Sequence, residues 1–509
     1  MGAANTRPSR EDLHVQEKLL ERLQAMQIKD DKLMSEKDGF IHVGGSSSRP
    51  LPLVSSHKPE VSASAISEWE RQLMEDPKNR LALAALSSNS ANAVLSSRSA
   101  QIADIHNFNI KIPTEGSPVT NQAASGRCWL FASTNVFRIA IMKKYHLSSF
   151  QLSQSYLFYW DKIEKANYFL ESILDTTSDD IDGRLVQALL ASPVGDGGQW
   201  DMVANLVQKY GLVPQTLYPD SYNALNSSVM DRLITTKLRE DALRLRSLAS
   251  SATAATIASE KEKMLREVHL ILTLMLGPPP ASDKPFTWDF YDSDGVFHSL
   301  RTRPVAFAKE LSDNRTVRAL GGTDVHSLFS LVNDPRNPYN RLLSVKRLGN
   351  VWEGRPVTYV NVDMATIKKA CIQMLQKGIP VFFGSDVGKY SDSAKGIMDT
   401  ELFEYELGFN IKLGMKKAER LMTGESLMTH AMVLTGVHVV DGKSVRWRVE
   451  NSWSDKVGDK GYFVMSDAWM DEFVYQAVVD PAVVSTAIKK VLEQEPKMLE
   501  LWDPMGALA

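Results

Sequence analysis

The chain has 509 residues but only two cysteines, Cys128 and Cys371. A disulfide-stapled scaffold and a cysteine-based zinc site both need cysteines in number and close together, so both are excluded. Neither sign of charge is in excess: 58 Lys and Arg face 61 Asp and Glu, a net charge of −3. That gives no global pull toward nucleic acid or an anionic membrane. Long apolar runs are missing too. The stretch from Val268 to Leu276 contains His269 and Thr273 and stops at Gly277-Pro278, far short of the ~20 residues of a spanning helix. The first 18 residues are polar, so no secretory signal is expected. Met1-Gly2-Ala3-Ala4-Asn5-Thr6 fits the N-myristoylation pattern. So short a pattern fits a plain disordered tail better, and one myristoyl chain would give only weak membrane association without stable insertion. An intracellular, cytoplasmic protein is expected.

What is present is an ordinary globular composition, 43 % apolar and 23 % charged, long enough for about three units at roughly 150 residues each. Residues 1–66 read as a disordered appendage: a charged helical stretch from Glu11 to Lys37, then Gly44-Gly45-Ser46-Ser47-Ser48, Pro50 and Pro52 as linker. The folded part is expected to begin near Trp69. Helices are predicted from Cys128 to Lys144, Ser155 to Asn167 and Trp200 to Tyr210, and the block 226–276 is helical in composition. Strands are predicted from Val357 to Val362 and Val381 to Phe383. Ala431 to Val440 and Ser444 to Asn451 form a hairpin around Asp441-Gly442-Lys443, its second arm alternating Val445, Trp447 and Val449 with Arg446, Arg448 and Glu450. Helices first and strands later imply an α+β fold with a helical lobe and a β-rich lobe.

Cys128 follows a Gly-containing turn, Ser125-Gly126-Arg127, at the start of a helix. The helix dipole and free N–H groups there stabilise a thiolate and lower its pKa. The fragment alone fits a small buried hydrophobe equally well. Gln122, six residues earlier, carries an amide that can join the Cys128 N–H in holding an oxyanion. His430 opens the first hairpin arm and Asn451 closes the second, so the hairpin brings them together at its open end. A turn centred between Val440 and Asp441 would set them directly opposite. An Asn carbonyl accepting the imidazole proton would orient the ring as in a Cys-His-Asn set.

Gln122 through Ala132, His430-Ala431 and Asn451-Ser452-Trp453 resemble the motifs of papain-like cysteine peptidases. Pro118 to Gln122, Ser125 to Ala132, Gly197 to Met202, Phe383 to Lys389 and the tail from Trp502 to Ala509 resemble the bleomycin hydrolase branch of that family. The resemblance runs from about residue 67 to the end and implies a papain-like two-lobed fold. It divides the chain into a helical lobe (67–225), a helical insertion (226–320), a β-rich lobe (321–485) and a C-terminal arm (486–509) lying in the cleft. It implies Cys128 as nucleophile, His430 as general acid and base, Asn451 as its orienter, Gln122 as oxyanion donor and Trp453 as a cover over the His430–Asn451 bond. Gly197 and Gly198 would bind an extended substrate, although a turn needing positive φ explains the same glycines. The terminal carboxylate of Ala509 would pair with the substrate's free amine. Ser454 departs from the pattern, which has Gly after the Trp, and a local backbone adjustment is expected. Cys371 lies on an apolar helix face and reads as core.

The implied function is an intracellular cysteine aminopeptidase acting on peptides and aminoacyl amides, including bleomycin or homocysteine thiolactone, through a thioester, without metal or cofactor. The implied assembly is a homohexamer. The same residues would serve an acyltransferase in which an amine resolves the acyl-enzyme. A nucleic-acid-binding ring is the third reading, and the net charge speaks against it.

Overall fold

A computed structural model describes residues 61–508. Met1–Asp76 and Pro77–Ala509 form separate compact units. The described part of the first carries a helix, Ala63–Glu75, started by Ser62, whose hydroxyl accepts the Ala65 N–H. None of its residues is buried, and the expected start near Trp69 falls inside it. Gly2 and the Glu11 to Lys37 stretch lie outside the described residues.

The helical part of the second unit is built on α1 (Cys128–Lys144), which begins and ends where the sequence predicts and is buried over all but its last turn. A helix apolar on every side must be surrounded, and α2 (Gln154–Asp175) and α3 (Trp200–Tyr210) pack against it. Gly211, at φ +79, ends α3 where an added Cβ would meet the Pro304 backbone. Helix α2 runs eight residues beyond the predicted end. Two further helices, α4 (Ser228–Ala249) and α5 (Ala254–Leu276), cover α2.

The block expected to be helical to residue 320 differs in its second half. A hairpin of Phe286–Tyr291 and Phe297–Thr302 follows α5. Its Trp288 is buried against Phe150 and Phe307. The alternation of Phe286, Trp288 and Phe290 ahead of Asp294-Gly295 was the available signal.

The β-rich part is one mixed sheet. Its strands are β1 (Phe329–Val332), β2 (Arg341–Val345), β3 (Thr358–Asn361), β4 (Val381–Ser385), β5 (His430–Val440), β6 (Lys443–Glu450), β7 (Tyr462–Ser466), β8 (Val474–Val479) and β9 (Lys497–Leu499). The order across the sheet is β9, β2, β3, β1, β8, β4, β5, β6, β7, continued by Ile397–Met398 and Ser391–Asp392. Helix α6 (Met364–Gln376) packs on β5 and β8 and buries Cys371, whose thiol burial pushes up to about 12. The C-terminal segment is not free along its length, since β9 pairs in parallel with β2. Helix α1 packs against β5, which sets its N-terminus beside the first residue of that strand.

Candidate active site

The hairpin of β5 and β6 turns on Asp441 and Gly442, both at positive φ, with Val440 paired to Lys443. These are the dihedral signs of the tight turn that suits twisted strands. The turn centre is therefore one residue later than predicted. Extending the Val433–Glu450 pair puts Trp453, not Asn451, across from His430. Asn451 is a diagonal neighbour instead, still within reach of an imidazole. Its Oδ1 lies 2.9 Å from His430 Nε2. The same oxygen accepts the Ser452 N–H at 2.8 Å, which identifies it as the acceptor. His430 must then donate through Nε2–H, and in the neutral ring Nδ1 is left as the basic nitrogen. The Trp453 ring sits 4.7 Å from the imidazole, tilted by 31°, beside the His430–Asn451 bond.

Cys128 opens α1, and the backbone N–H groups of Ala431, Trp129 and Cys128 itself favour its thiolate. Ala431 is the chain neighbour of His430, so the thiol lies against the backbone at the start of the strand that His430 opens. The depressed thiol pKa expected from the helix start is overturned: burial outweighs those donors and pushes Cys128 up to about 11. Burial likewise pulls His430 down to about 4, against the Asn451 bond. Desolvation thus favours the neutral pair, and thiolate and imidazolium form together, each offsetting the other's lost hydration.

Gln122 is held by the loop that carries Asn451. Its N–H donates to Ser452 O at 2.8 Å, and the Ser454 N–H returns a bond to Thr120 O at 3.1 Å. The Ser452 hydroxyl donates to Gln122 Oε1 at 2.7 Å, which fixes Nε2 as the donor end. One Nε2 hydrogen goes to Ser125 O at 2.6 Å, and the amide keeps a second. Ser454 holds φ +71. The backbone has not adjusted away from the glycine-like conformation, at a cost of roughly 1–2 kcal/mol for a residue with a Cβ.

Gly198 is pressed against the helix that Cys128 opens, since an added Cβ would lie 2.5 Å from the Trp129 ring. Neither Gly197 nor Gly198 has positive φ, so the turn explanation of this pair falls away. The described tail reaches the same place: Gln199 Nε2 donates to Ala507 O at 2.8 Å. Trp502 stacks under Arg184, and Asp503 pairs with Arg336 at 2.7 Å. Gly506 and Leu508 help line a cavity of about 220 Å3 with Lys165 and Gly195. Ala509 lies outside the described residues.

Sequence reasoning missed several supporting groups. Ser452 fixes both amides of the site, and Gln199 holds the tail. Arg127 is fully buried beneath Cys128, bonded to Asp220 at 2.6 Å and Ser125 Oγ at 2.9 Å. Asp196 accepts the Gly126 N–H at 2.8 Å. Their partners are distant in sequence, so no local pattern marks them. Among the described residues no cluster of His, Cys, Asp and Glu could hold a metal, and no helix is long and apolar enough to cross a membrane.

Residues 60–506 match the model of the Peptidase C1-like family. The chain is 41 % identical over 460 residues to Cysteine proteinase 1, mitochondrial, of Saccharomyces cerevisiae, covering 88 % of this chain and 93 % of that one. It is 44 % identical over 414 residues to Bleomycin hydrolase of Mus musculus (79 % and 89 % covered). It is 40 % identical over 453 residues to Aminopeptidase C of Listeria monocytogenes (88 % and 99 % covered). Among solved structures it is similar to PepW of Lactobacillus rhamnosis, with a TM-score of 0.84 and 42 % identity over 89 % of this chain and 100 % of that one.

Proposed function

The chain belongs to the Peptidase C1-like family, and from that premise we infer that it is a cysteine aminopeptidase of the bleomycin hydrolase type. The observation that carries the reading is the shared Asn451 Oδ1. Accepting from both Ser452 N–H and His430 Nε2–H, it leaves Nδ1 as the nitrogen free to take the thiol proton.

In this mechanism Cys128 Sγ attacks the scissile carbonyl as its proton passes to His430. The Cys128 N–H and the remaining Gln122 Nε2 hydrogen stabilise the oxyanion. His430 then gives its proton to the departing amine, and a thioester remains. Water, deprotonated by the same nitrogen, releases the acyl group and regenerates the thiol. Asn451 keeps the ring in one tautomer, and Trp453 shields that bond from solvent.

Gly198 offers backbone groups to an extended substrate. The described tail is held next to it by the Gln199–Ala507 bond, and in this reading the Ala509 carboxylate pairs with the free α-amine of the substrate. Such a charge-assisted contact contributes about 1.5–3 kcal/mol when partly desolvated. The substrates are peptides and aminoacyl amides with a free N-terminus, and the assembly is a homohexamer. Two unbridged cysteines are consistent with a reducing compartment, and we place the protein in the cytoplasm. Hydrolysis of free and N-acetylated aminoacyl amides by wild type and Cys128→Ala tests the reading. Wild type is expected to cleave the free substrate and spare the blocked one, and Cys128→Ala to cleave neither. Full activity in Cys128→Ala would sink it.

A further inference from the structure

Val194–Gly198 has no helix or strand pairing, is buried at both ends and half-buried from Gly195 to Gly197, so its carbonyls need other partners. Four in succession are taken by side chains. Lys162 Nζ donates to Val194 O at 2.5 Å, Lys165 Nζ to Gly195 O at 2.8 Å and Gly197 O at 2.7 Å, and Trp129 Nε1 to Asp196 O at 2.7 Å. Lys162 and Lys165 stand three residues apart on α2, hence on one face, and both are buried.

The rest of each ammonium is also engaged. Lys162 pairs with Asp196 at 2.6 Å and Asp231 at 2.5 Å, and Lys165 with Asp161 at 2.6 Å. Gly198 is buried, yet neither its N–H nor its C=O has a partner among the described residues. The four carbonyls from Val194 to Gly197 are tied down by side chains, whereas the Gly198 C=O has no such side-chain donor among the described residues.

We propose that Lys162 and Lys165 are positioning residues that clamp Val194–Gly197 through its carbonyls and so preset Gly198 to bind the substrate backbone. This rests on the reading of Gly198 as a substrate-binding residue. Lys165 holds two of the four carbonyls and is the stronger half. Burial lowers its pKa below that of ordinary lysine, against the pull of Asp161. Even the neutral amine keeps two N–H groups for two carbonyls. Trp129 ties the clamp to the helix of the nucleophile, and Asp196 ties it to the turn before Cys128 through Gly126.

Lys165→Met is tested with a free aminoacyl amide substrate and, separately, by alkylation of Cys128 with iodoacetamide, which needs no bound peptide. KM is expected to rise about 10-fold with kcat changed less than about three-fold, and alkylation to stay within about two-fold of wild type. Unchanged KM overturns the clamp, as does a parallel fall in alkylation and kcat/KM, which would mean damage to the nucleophile itself. Because Lys165→Met strands the Asp161 carboxylate, Asp161→Asn/Lys165→Met is measured alongside, with the same criteria for whichever variant folds. Lys165→Gln keeps two N–H groups and is expected to hold KM within about three-fold of wild type. A 10-fold rise there too overturns the hydrogen-bond basis. Failure of the underlying peptidase reading is distinguishable, since it would appear as turnover by Cys128→Ala.

Discussion

The proton on His430 is placed by a backbone group. Ser452 N–H occupies Asn451 Oδ1 as a donor, so the imidazole donates through Nε2 and keeps Nδ1 for chemistry. Burial holds the ring at about 4, with the Asn451 bond pulling upward. The neutral base therefore survives to low pH, and the acid limb of kcat/KM is expected near 4 instead of the ordinary 6.5. Asn451→Ala removes the contact that raises the pKa. It should move the limb lower still and reduce kcat by about 10-fold or more. A wild-type limb centred near the ordinary value would contradict this assignment. The stability linkage has the same sign. The unfolded chain binds this proton at about 6.5, so His430 contributes stability above that pH which is lost as pH falls through about 4.

Between elements, the joint that sets the site is an ion pair. Arg138 of α1 meets Glu450 at the end of β6 at 2.5 Å, both side chains almost wholly buried, and Asn135 Nδ2 donates to the same carboxylate at 3.0 Å. Gly116 lies flat on the guanidinium, where an added Cβ would fall 2.0 Å from Arg138 Nε. Asn451 follows Glu450 directly, so this pair registers the helix that begins at Cys128 against the strand that leads into Asn451. Arg138→Met leaves a buried carboxylate without its ion-pair partner and is expected to cost about 3–5 kcal/mol in urea denaturation. Adding Glu450→Gln should recover more than half, and no recovery would mean that packing, not charge, dominates. Much of the element plan is legible locally. Helices α1 and α3 match their predicted limits because a turn or a glycine bounds them, and the β5–β6 hairpin matches because Asp-Gly marks it. Strands β1 and β8 escape notice because they are buried throughout, and a strand buried on both faces shows no alternation.

Across the second unit, the chain end is brought to the site by contacts that span the sequence. Strand β9 pairs with β2, Asp503 with Arg336, Trp502 with Arg184, and Ala507 with Gln199. These hold Ala507 beside Gln199, the chain neighbour of Gly198. Deleting Ala507 to Ala509 should leave cleavage of free aminoacyl amides largely intact and raise cleavage of N-acetylated ones about 10-fold or more, the loss of one charge-assisted contact and one steric stop. Unchanged discrimination would remove the tail from substrate selection. The sequence by itself singled out Cys128, His430 and Asn451 as the candidate residues, because they sit at the ends of locally encoded elements, a helix and a hairpin. Cys371 was likewise separated from Cys128 by its apolar helix face alone. Only the tertiary structure decided the pairing one residue from the expected turn, the neutral bias of the buried Cys–His pair, the left-handed Ser454 and the two lysines beneath Gly198. Each depends on groups far apart in the chain meeting in a dry interior, where solvation and unpaired carbonyls outweigh any local preference.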